Sequence, residues 1–376
     1  MQQKRVLIIS SVSDIHARAV AYAIRAKGHL CEEVYGGDFP TLTAISLRAS
    51  NHNGASWRLS RESDLGPDIE GTSFDSIWLR HREPPTLPLS MHPGDREVAI
   101  RQCDRAFSEL VAALHSSRVF WVNPFERENV SSLKAYQLRE AERAGLTIPE
   151  TLVSNNPEEI KEFIAHCGGV AIHKLLYAAV WKPREGDQLL ASFTSPVSCS
   201  DLPADATLRL CPGIFQPLLK KRFEVRVACF GNYLVSLQID SQSDERARMD
   251  WRAGQWWVDM KPYNLPEGIA AGIRRFLGST GLAHASLDFI VDDDGEHIFL
   301  EANTKGQFLW MEERAGLPML DIFSEYLIAG ERDFDAKSIG TPITWSQFKS
   351  AWEGGLKQVI ERHAPASSML IVPDYI

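Results

Sequence analysis

Residues 284–307 run HisAlaSerLeuAspPheIleValAspAspAspGlyGluHisIlePheLeuGluAlaAsnThrLysGlyGln, two apolar segments on either side of an acidic turn that contains a glycine. The pattern predicts a hairpin: strand Ala285–Val291, turn Asp292–Gly295, strand Glu296–Ala302. With a loop of two or four residues, cross-strand partners carry one even and one odd number. Asp288 then lies opposite or diagonal to Glu301 on one face, and Asn303 follows two residues later on that face. A three-residue bulged loop would break this parity. Facing carboxylates repel unless one is protonated or a cation lies between them. A hard divalent ion answers that need, because Mg²⁺ prefers oxygen ligands such as two carboxylates, an amide oxygen and nucleotide phosphates. The bland alternative is a solvated acidic hairpin.

Outward from this hairpin the notable residues are cationic. Lys174 lies inside the apolar run ValAlaIleHisLysLeuLeuTyr, and a lysine rarely enters such a strand without an anionic partner. Lys134 begins a predicted helix, where a solvated lysine is the ordinary alternative. Residues 211–227 form an apolar stretch that ends at Gln216, bends at Pro217, and passes Lys220, Lys221 and Arg222 before a strand with Glu224 and Arg226. Such a bend can offer the Pro217 carbonyl and the Leu219 N–H to a purine edge. Glu224 and Arg226 share a strand face, so a mutual salt bridge is open as well. Arg252, in AspTrpArg at 250–252, is a candidate to meet an acyl phosphate, and Trp256 and Trp257 could dock a peptide or simply pack. The sequence contains no GxxxxGK[ST], HExxH, GxSxG or GxGxxG.

At 376 residues, 44% hydrophobic and 24% charged, the chain can bury one large core or two to three smaller ones. Lys4–Ser10, a helix Ile15–Lys27 capped by Ser13 or Asp14, and Leu30–Tyr35 read as a βαβ start. A strand Ser76–Arg80, a helix Arg96–His115 and a strand Val119–Asn123 extend it into an open parallel sheet. From residue 124 to about 205 a smaller module is expected. It comprises a helix Leu133–Ala144 capped by Ser131 or Ser132, strand Thr151–Ser154, a helix opened by Asn156 and Pro157, and strand Val170–Leu176. Residues 206–330 carry the longer strands and the chemistry, and 331–376 add a helix Trp345–His363 and an apolar end at 368–373.

The net charge of −9 argues against a sequence-independent grip on nucleic acid. The six scattered cysteines predict reduced, mostly core thiols. The N-terminal apolar run stops after four residues and no stretch nears the ~20 needed to span a bilayer, so no membrane partner and a cytoplasmic location are expected.

Taken in order, Lys134, Lys174, the Gln216 bend, Arg226, Asp288 and GluAlaAsnThrLysGlyGln resemble the ATP-grasp superfamily. AsnProPhe at 123–125, the run 134–155, GluValArgVal at 224–227, IleAspSerGln at 239–242, AspTrpArg and GluAlaAsnThrLysGlyGlnPheLeuTrpMetGlu at 301–312 resemble one branch, the graspetide (microviridin-type) peptide maturases. The resemblance covers roughly residues 1–330. It implies an α/β fold with α+β lobes. A pre-ATP-grasp domain with an open parallel sheet spans 1–123, a central lobe 124–205, a C-terminal lobe with the magnesium site 206–330, and a helical extension 331–376. It further implies ATP and Mg²⁺ as cofactors, with Lys134, Lys174 and Lys305 on phosphates, Gln216, Leu219 and Glu224 on the nucleotide, and Asp288, Glu301 and Asn303 on the metal. The partner it implies is a precursor peptide with a leader segment, docked near Trp256 and Trp257. A homodimer is left open.

The family's reaction is macrocyclisation, in which Asp or Glu side chains are phosphorylated and then attacked by Ser or Thr hydroxyls or a Lys amine. The residues suit that chemistry, since phosphoryl transfer asks mainly for positioning and charge neutralisation. Arg226 and Arg252 are the candidates for stabilising the oxyanion, and no general base is evident in the sequence. Thr304 stands where this branch usually has Pro and looks more like general ATP-grasp ligases such as D-alanine ligase. That departure motivates an alternative, a carboxylate-amine ligase for a small amino acid or dipeptide. A nucleotide-binding regulator without turnover is the reading from a different class.

Overall fold

The computed structural model describes residues 2–71, 74–115, 118–177, 180–181, 190–191, 194–336, 341–352 and 355–363. Its contacts divide the chain into two compact units. One comprises Met1–Phe125, Phe230–Tyr233 and Gln307–Ile376, the other Glu126–Cys229 and Leu234–Gly306. No described helix is long and apolar enough to cross a membrane.

The first unit is built on a parallel sheet of four strands in the order Leu30–Tyr35, Arg5–Ser10, Ser76–Leu79, Phe120–Val122. The central strand is almost wholly apolar and buried, the composition that a parallel sheet covered on both faces requires. The helix Ile15–Ala26 follows it, capped by Asp14, whose side chain accepts from the Ala17 N–H. Pro93–Leu114 is the second long helix, three residues earlier in start than expected. Met319–Ala329 is apolar nearly all round and buried, and Ser76 Oγ donates to its Leu327 carbonyl at 2.6 Å. Phe230, Phe308, Phe323 and Tyr326 form an aromatic core there, with ring centroids 4.7–6.2 Å apart.

A three-stranded antiparallel sheet, Thr43–Ser50, Gly54–Arg61 and Ile69–Glu70, was not expected from the sequence. Most of its first two strands is exposed, so the apolar alternation that would announce it is weak. The single helix expected over Trp345–His363 is two, Trp345–Ala351 with a capping box at Thr344 and Gln347, and Gly355–His363. The apolar end at 368–373 lies outside the described residues.

The second unit holds two antiparallel sheets. The smaller orders Ser195–Val197, Ala171–Leu175, Gly213–Pro217 and Leu152–Ser154, with helix Pro157–His166 packing Ile160 and Ile164 on Phe215. That helix opens as expected, with Asn156 as cap and Pro157 in the first turn. The larger orders Met260–Pro262, Tyr233–Ile239, Phe223–Phe230, His284–Val291 and His297–Asn303. Helices Lys134–Arg143 and Glu267–Thr280 cover one face of it, burying Leu138, Ile273 and Phe276 against Phe289 and Phe299. The helix at Lys134 is not capped by Ser131 or Ser132. Leu133 holds the N-cap position without a side-chain bond, because Ser131 ends a separate short helix, Phe125–Ser131.

All six cysteines are free, but only Cys31 and Cys229 are buried; Cys103 and Cys167 are intermediate, and Cys199 and Cys211 are exposed. The sequence-based placement of most of them in the core is therefore corrected.

Phe299 has no exposed surface and meets Phe276 and Phe289 at centroid distances of 5.4 and 5.6 Å, two residues before Glu301 on its strand. Phe299→Ala is expected to destabilise the second unit by about 3–5 kcal/mol, read as a lower urea midpoint for its unfolding transition. A loss below about 1 kcal/mol would contradict this packing.

Candidate active site

The hairpin that carries the two acidic residues has an unequal register. At the loop end, Val291 pairs with His297 and Phe289 with Phe299, while the Asp292 N–H donates to Glu296, leaving three residues in the tip. That is the loop length that spoils the parity needed to face Asp288 with Glu301. A β-bulge between Asp288 and Phe289 restores it by leaving Leu300 as the extra residue of the partner strand, and Asp288 then pairs directly with Glu301 and Ser286 with Asn303. The expected facing of the carboxylates holds, for a reason that the turn alone does not supply.

The pair is held by cations and an amide. Arg226 Nη1 lies 2.8 Å from both Asp288 oxygens, and Lys134 Nζ lies 2.6 Å from Glu301 Oε2. Asn303 Nδ2 bridges them, donating at 3.2 Å to one oxygen of each. Arg226 thus pairs across the sheet and not with Glu224, which accepts from Lys221 at 2.6 Å. Gly306 closes the loop behind: a Cβ there would fall inside the Ser286 side chain and 3.1 Å from Arg226 Nη2. A larger residue would push on the guanidinium that holds Asp288.

These charges shift one another. Burial pushes the Asp288 carboxyl up, Glu301 adds to the rise and Arg226 opposes it. Burial pushes Glu301 up as well, but Lys134, with Arg252 and Lys174, outweighs it and holds that carboxyl down at about 2. Burial lowers the Lys174 ammonium, against the attraction of Glu301. One carboxylate is firmly ionised beside a second that is costly to ionise, so the pair is stabilised by any further positive charge set between them.

Asp288 and Glu301 form one wall of a cavity of about 560 Å³. Its other walls include Lys174, Gln216, Leu219, Glu224 and Arg252. Lys174 Nζ donates to Gln216 Oε1 at 3.1 Å, and Gln216 Nε2 donates to Thr151 Oγ1 at 2.9 Å. The Gln216 side chain is thereby occupied, which leaves the backbone beyond Pro217 as the part free to face a ligand. Arg252 is clamped by both Asp250 oxygens at 2.8 Å, and that pairing raises its pKa while it remains half-exposed.

Seven of the eleven residues singled out from the sequence line this cavity, and Lys134, Arg226 and Asn303 reach it through the two carboxylates. Lys305 is the exception, forming an ion pair with Glu128 at 2.9 Å. Trp256 and Trp257 are exposed, with Arg246 stacked 3.7 Å over the Trp257 ring, whereas Trp251 lines the cavity. Sequence reasoning missed the clamp by Asp250, the bulge at Leu300 and the close approach at Gly306. Only the last had a signal, a glycine directly after the acidic segment.

No cluster of three or more His, Cys, Asp or Glu suited to a metal is found among the described residues. The cation-binding capacity of this site therefore rests on two carboxylates and one amide, few protein ligands, as Mg²⁺ commonly accepts when phosphates supply the rest. The Asn303 NH₂ already sits where positive charge is wanted, and rotating that amide would present its oxygen to a cation in the same place.

No protein-family model and no curated protein matches the chain. Solved structures do. The macrocyclase MdnC bound with precursor peptide MdnA from Microcystis aeruginosa MRC is 27% identical, with a TM-score of 0.75 over 86% of this chain and 99% of that one. The macrocyclase MdnB from the same organism is 26% identical, with a TM-score of 0.71 over 86% and 99%. A RiPP-associated ATP-grasp ligase of Chryseobacterium gregarium, in complex with ADP and a leader and core peptide, is 23% identical, with a TM-score of 0.76 over 88% and 98%. The fold is shared along nearly the whole length of two macrocyclases and of an ATP-grasp ligase, so this chain has the ATP-grasp fold.

Proposed function

We propose that the chain is an ATP- and Mg²⁺-dependent carboxylate ligase that phosphorylates Asp or Glu side chains of a ribosomal precursor peptide and closes ester or amide crosslinks through the acyl phosphate. The observation that carries this reading is the facing pair Asp288 and Glu301, clasped by Arg226 and Lys134 on the wall of a cavity that also holds Lys174 and Arg252. The likeness to macrocyclases over nearly their full length supports the peptide as substrate.

In this reading Asp288, Glu301 and Asn303 would hold magnesium, which supplies charge neutralisation on the phosphates when bound. Lys174 and Lys134 offer ammonium groups to the polyphosphate, and the segment Gln216–Leu219 with Glu224 takes the nucleoside end. Lys305 acts on phosphate only by releasing Glu128. A carboxylate is a poor electrophile because oxide is a poor leaving group, and transfer of the γ-phosphoryl group replaces it with phosphate. Arg226 and Arg252 are assigned to the negative charge that develops as the acyl phosphate is attacked; both are held rigidly by carboxylates, so little reorganisation is needed. The parts 1–123, 124–205, 206–330 and 331–376 are proposed as the working divisions, with leader docking near Trp256 and Trp257, in the cytoplasm where ATP and Mg²⁺ are supplied.

Thr304 favours a second reading, ligation of a small amino acid or dipeptide. The two separate in one assay. With ATP, Mg²⁺ and a synthetic leader-bearing precursor peptide rich in Ser, Thr, Asp and Glu, the peptide mass is expected to fall by whole water molecules. ADP release with unchanged peptide mass, or ADP release driven by free amino acids without a leader, would favour the second reading. In hydroxylamine the activated carboxylate is expected to be trapped as a hydroxamate. Glu301→Gln should lower hydroxamate yield by about 10²- to 10³-fold and weaken magnesium-dependent ADP binding in calorimetry; unchanged ADP binding and yield would remove Glu301 from the site.

A further inference from the structure

The first unit carries a cavity of its own, between its N-terminal helix and its C-terminal helices, that the ligase reading does not use. Helix Ile15–Ala26 lies against helix Trp345–Ala351, with the Tyr22 and Phe348 rings 5.7 Å apart. The C-terminal helices are pinned at both ends. Glu312 accepts from the Trp345 N–H at 2.6 Å and from the Leu320 N–H at 3.1 Å, and His363 Nδ1 lies 2.9 Å from an Asp38 oxygen. Between these anchors a space of about 520 Å³ is lined by Arg18, Tyr22, Arg25, Glu33, Phe348 and Trp352. That size suits a small organic molecule.

One cation in its walls has no matching carboxylate. Arg25 is paired with Glu33 at 2.9 Å and donates to the Cys31 carbonyl at 2.7 Å, while the Tyr35 hydroxyl donates to the other Glu33 oxygen at 2.8 Å. Arg18 is only 7% exposed. Its Nε donates to the Val12 carbonyl at 2.9 Å, and its Nη2 is buried with no hydrogen-bond partner among the described residues. The guanidinium lies 5.0 Å from the Tyr35 ring and 5.0 Å from the Trp352 ring. Ring faces attract a cation, but they do not replace the oxygen that a buried N–H wants. A guanidinium also stays charged, so in this poorly solvated place it is costly until an anion joins it. The other walls select the body of that anion. Tyr22, Phe348 and Trp352 offer aromatic surface, the last two with ring centroids 5.0 Å apart, and Gly355 leaves room for the Trp352 indole, since a Cβ there would fall 2.0 Å from its Nε1. Glu33 opposes a second negative charge.

We propose that this cavity binds a small aromatic monocarboxylate, whose carboxylate accepts from the Arg18 guanidinium and whose ring packs among Tyr22, Phe348 and Trp352. A single negative charge matches the single unpaired cation, whereas a phosphate dianion brings a surplus charge toward Glu33. The site shares no residue with the cavity of Asp288 and Glu301. Since its walls come from helix Ile15–Ala26 on one side and Trp345–Ala351 on the other, a bound ligand ties the C-terminal helices to the N-terminal one and stabilises that docked arrangement by mass action.

The test titrates the full-length chain with phenylacetate in calorimetry and follows amide hydrogen exchange over residues 345–352. Binding is expected with a Kd of about 1 mM or tighter, an ordinary affinity for a ligand of about ten heavy atoms. The amides of 345–352 are expected to exchange more slowly with ligand present. Phenethylamine, of similar size and opposite charge, should not bind. Arg18→Met keeps the length of the side chain and removes its charge. It is expected to weaken phenylacetate binding by about 10- to 100-fold, while the melting temperature of the ligand-free chain stays level or rises, because a buried charge without a counter-ion has gone. Trp352→Ala removes part of the aromatic wall and should weaken binding by about 3- to 10-fold; it carries the test if Arg18→Met does not fold. Absence of phenylacetate binding, or unchanged affinity in the folded variant, overturns the proposal. Inorganic phosphate that binds more tightly than phenylacetate, and is lost in the same variant, overturns the carboxylate as ligand.

Discussion

Two carboxylates side by side on adjacent strands are an electrostatic cost, and the second unit is organised around meeting it. Asp288 and Glu301 are direct cross-strand partners, and each takes its own cation from a different element, Arg226 from the neighbouring strand and Lys134 from the first turn of a helix. Asn303 spans what is left. Removing one member would strand the other charges in a poorly solvated place, where an unpaired ion costs more than the pair ever contributes. The network therefore fixes geometry more than it adds stability. It holds the strand Phe223–Phe230, the hairpin 284–303 and the helix Lys134–Arg143 in one relation, with the apolar core of Phe276, Phe289 and Phe299 on the other face of the sheet providing the net stabilisation.

That geometry has a functional meaning because the charges do not cancel at every point. The cations nearest the cavity are held by oxygens that an anionic ligand could replace or share: Lys174 by the Gln216 amide, Lys134 by Glu301, Arg252 by Asp250. Such groups are pre-oriented and partly desolvated before any substrate arrives, the condition under which electrostatic stabilisation of a developing charge is most effective. In the proposed reading, phosphate would exchange for carboxylate around this same set of cations.

The first unit uses the same physics with different groups. Asp14 caps a helix, pairs with a buried arginine and lies 3.1 Å from Nε2 of a partly exposed histidine, so one side chain meets three local demands at once. Its location at the end of the central strand follows from the parallel sheet, whose loops at the carboxyl edge are the parts freed from packing.

Much of the site was legible before any coordinates, because its logic is local. A βαβ start, the cap at Asp14, the helix opened by Asn156 and Pro157, and the unusual lysine in an apolar strand are all statements about residues within a turn or two of one another. So was the meeting of Asp288, Glu301 and Asn303, which one hairpin brings together. The rest depended on contacts between residues far apart in the chain. The choice of Asp288 over Glu224 by Arg226, the diversion of Lys305 to Glu128, and the packing of Met319–Ala329 with the N-terminal sheet compare partners that only folding sets side by side. The bulge at Leu300 is the clearest case. The amino-acid order determined which residues could oppose each other, but the three-residue loop demanded the wrong parity, and the sheet resolved the conflict by expelling one residue from the ladder. Sequence determined the chemical groups and their short-range geometry because helix and strand periodicities are local; tertiary structure decided the pairing, because opposite charges and apolar faces choose among distant partners by total energy.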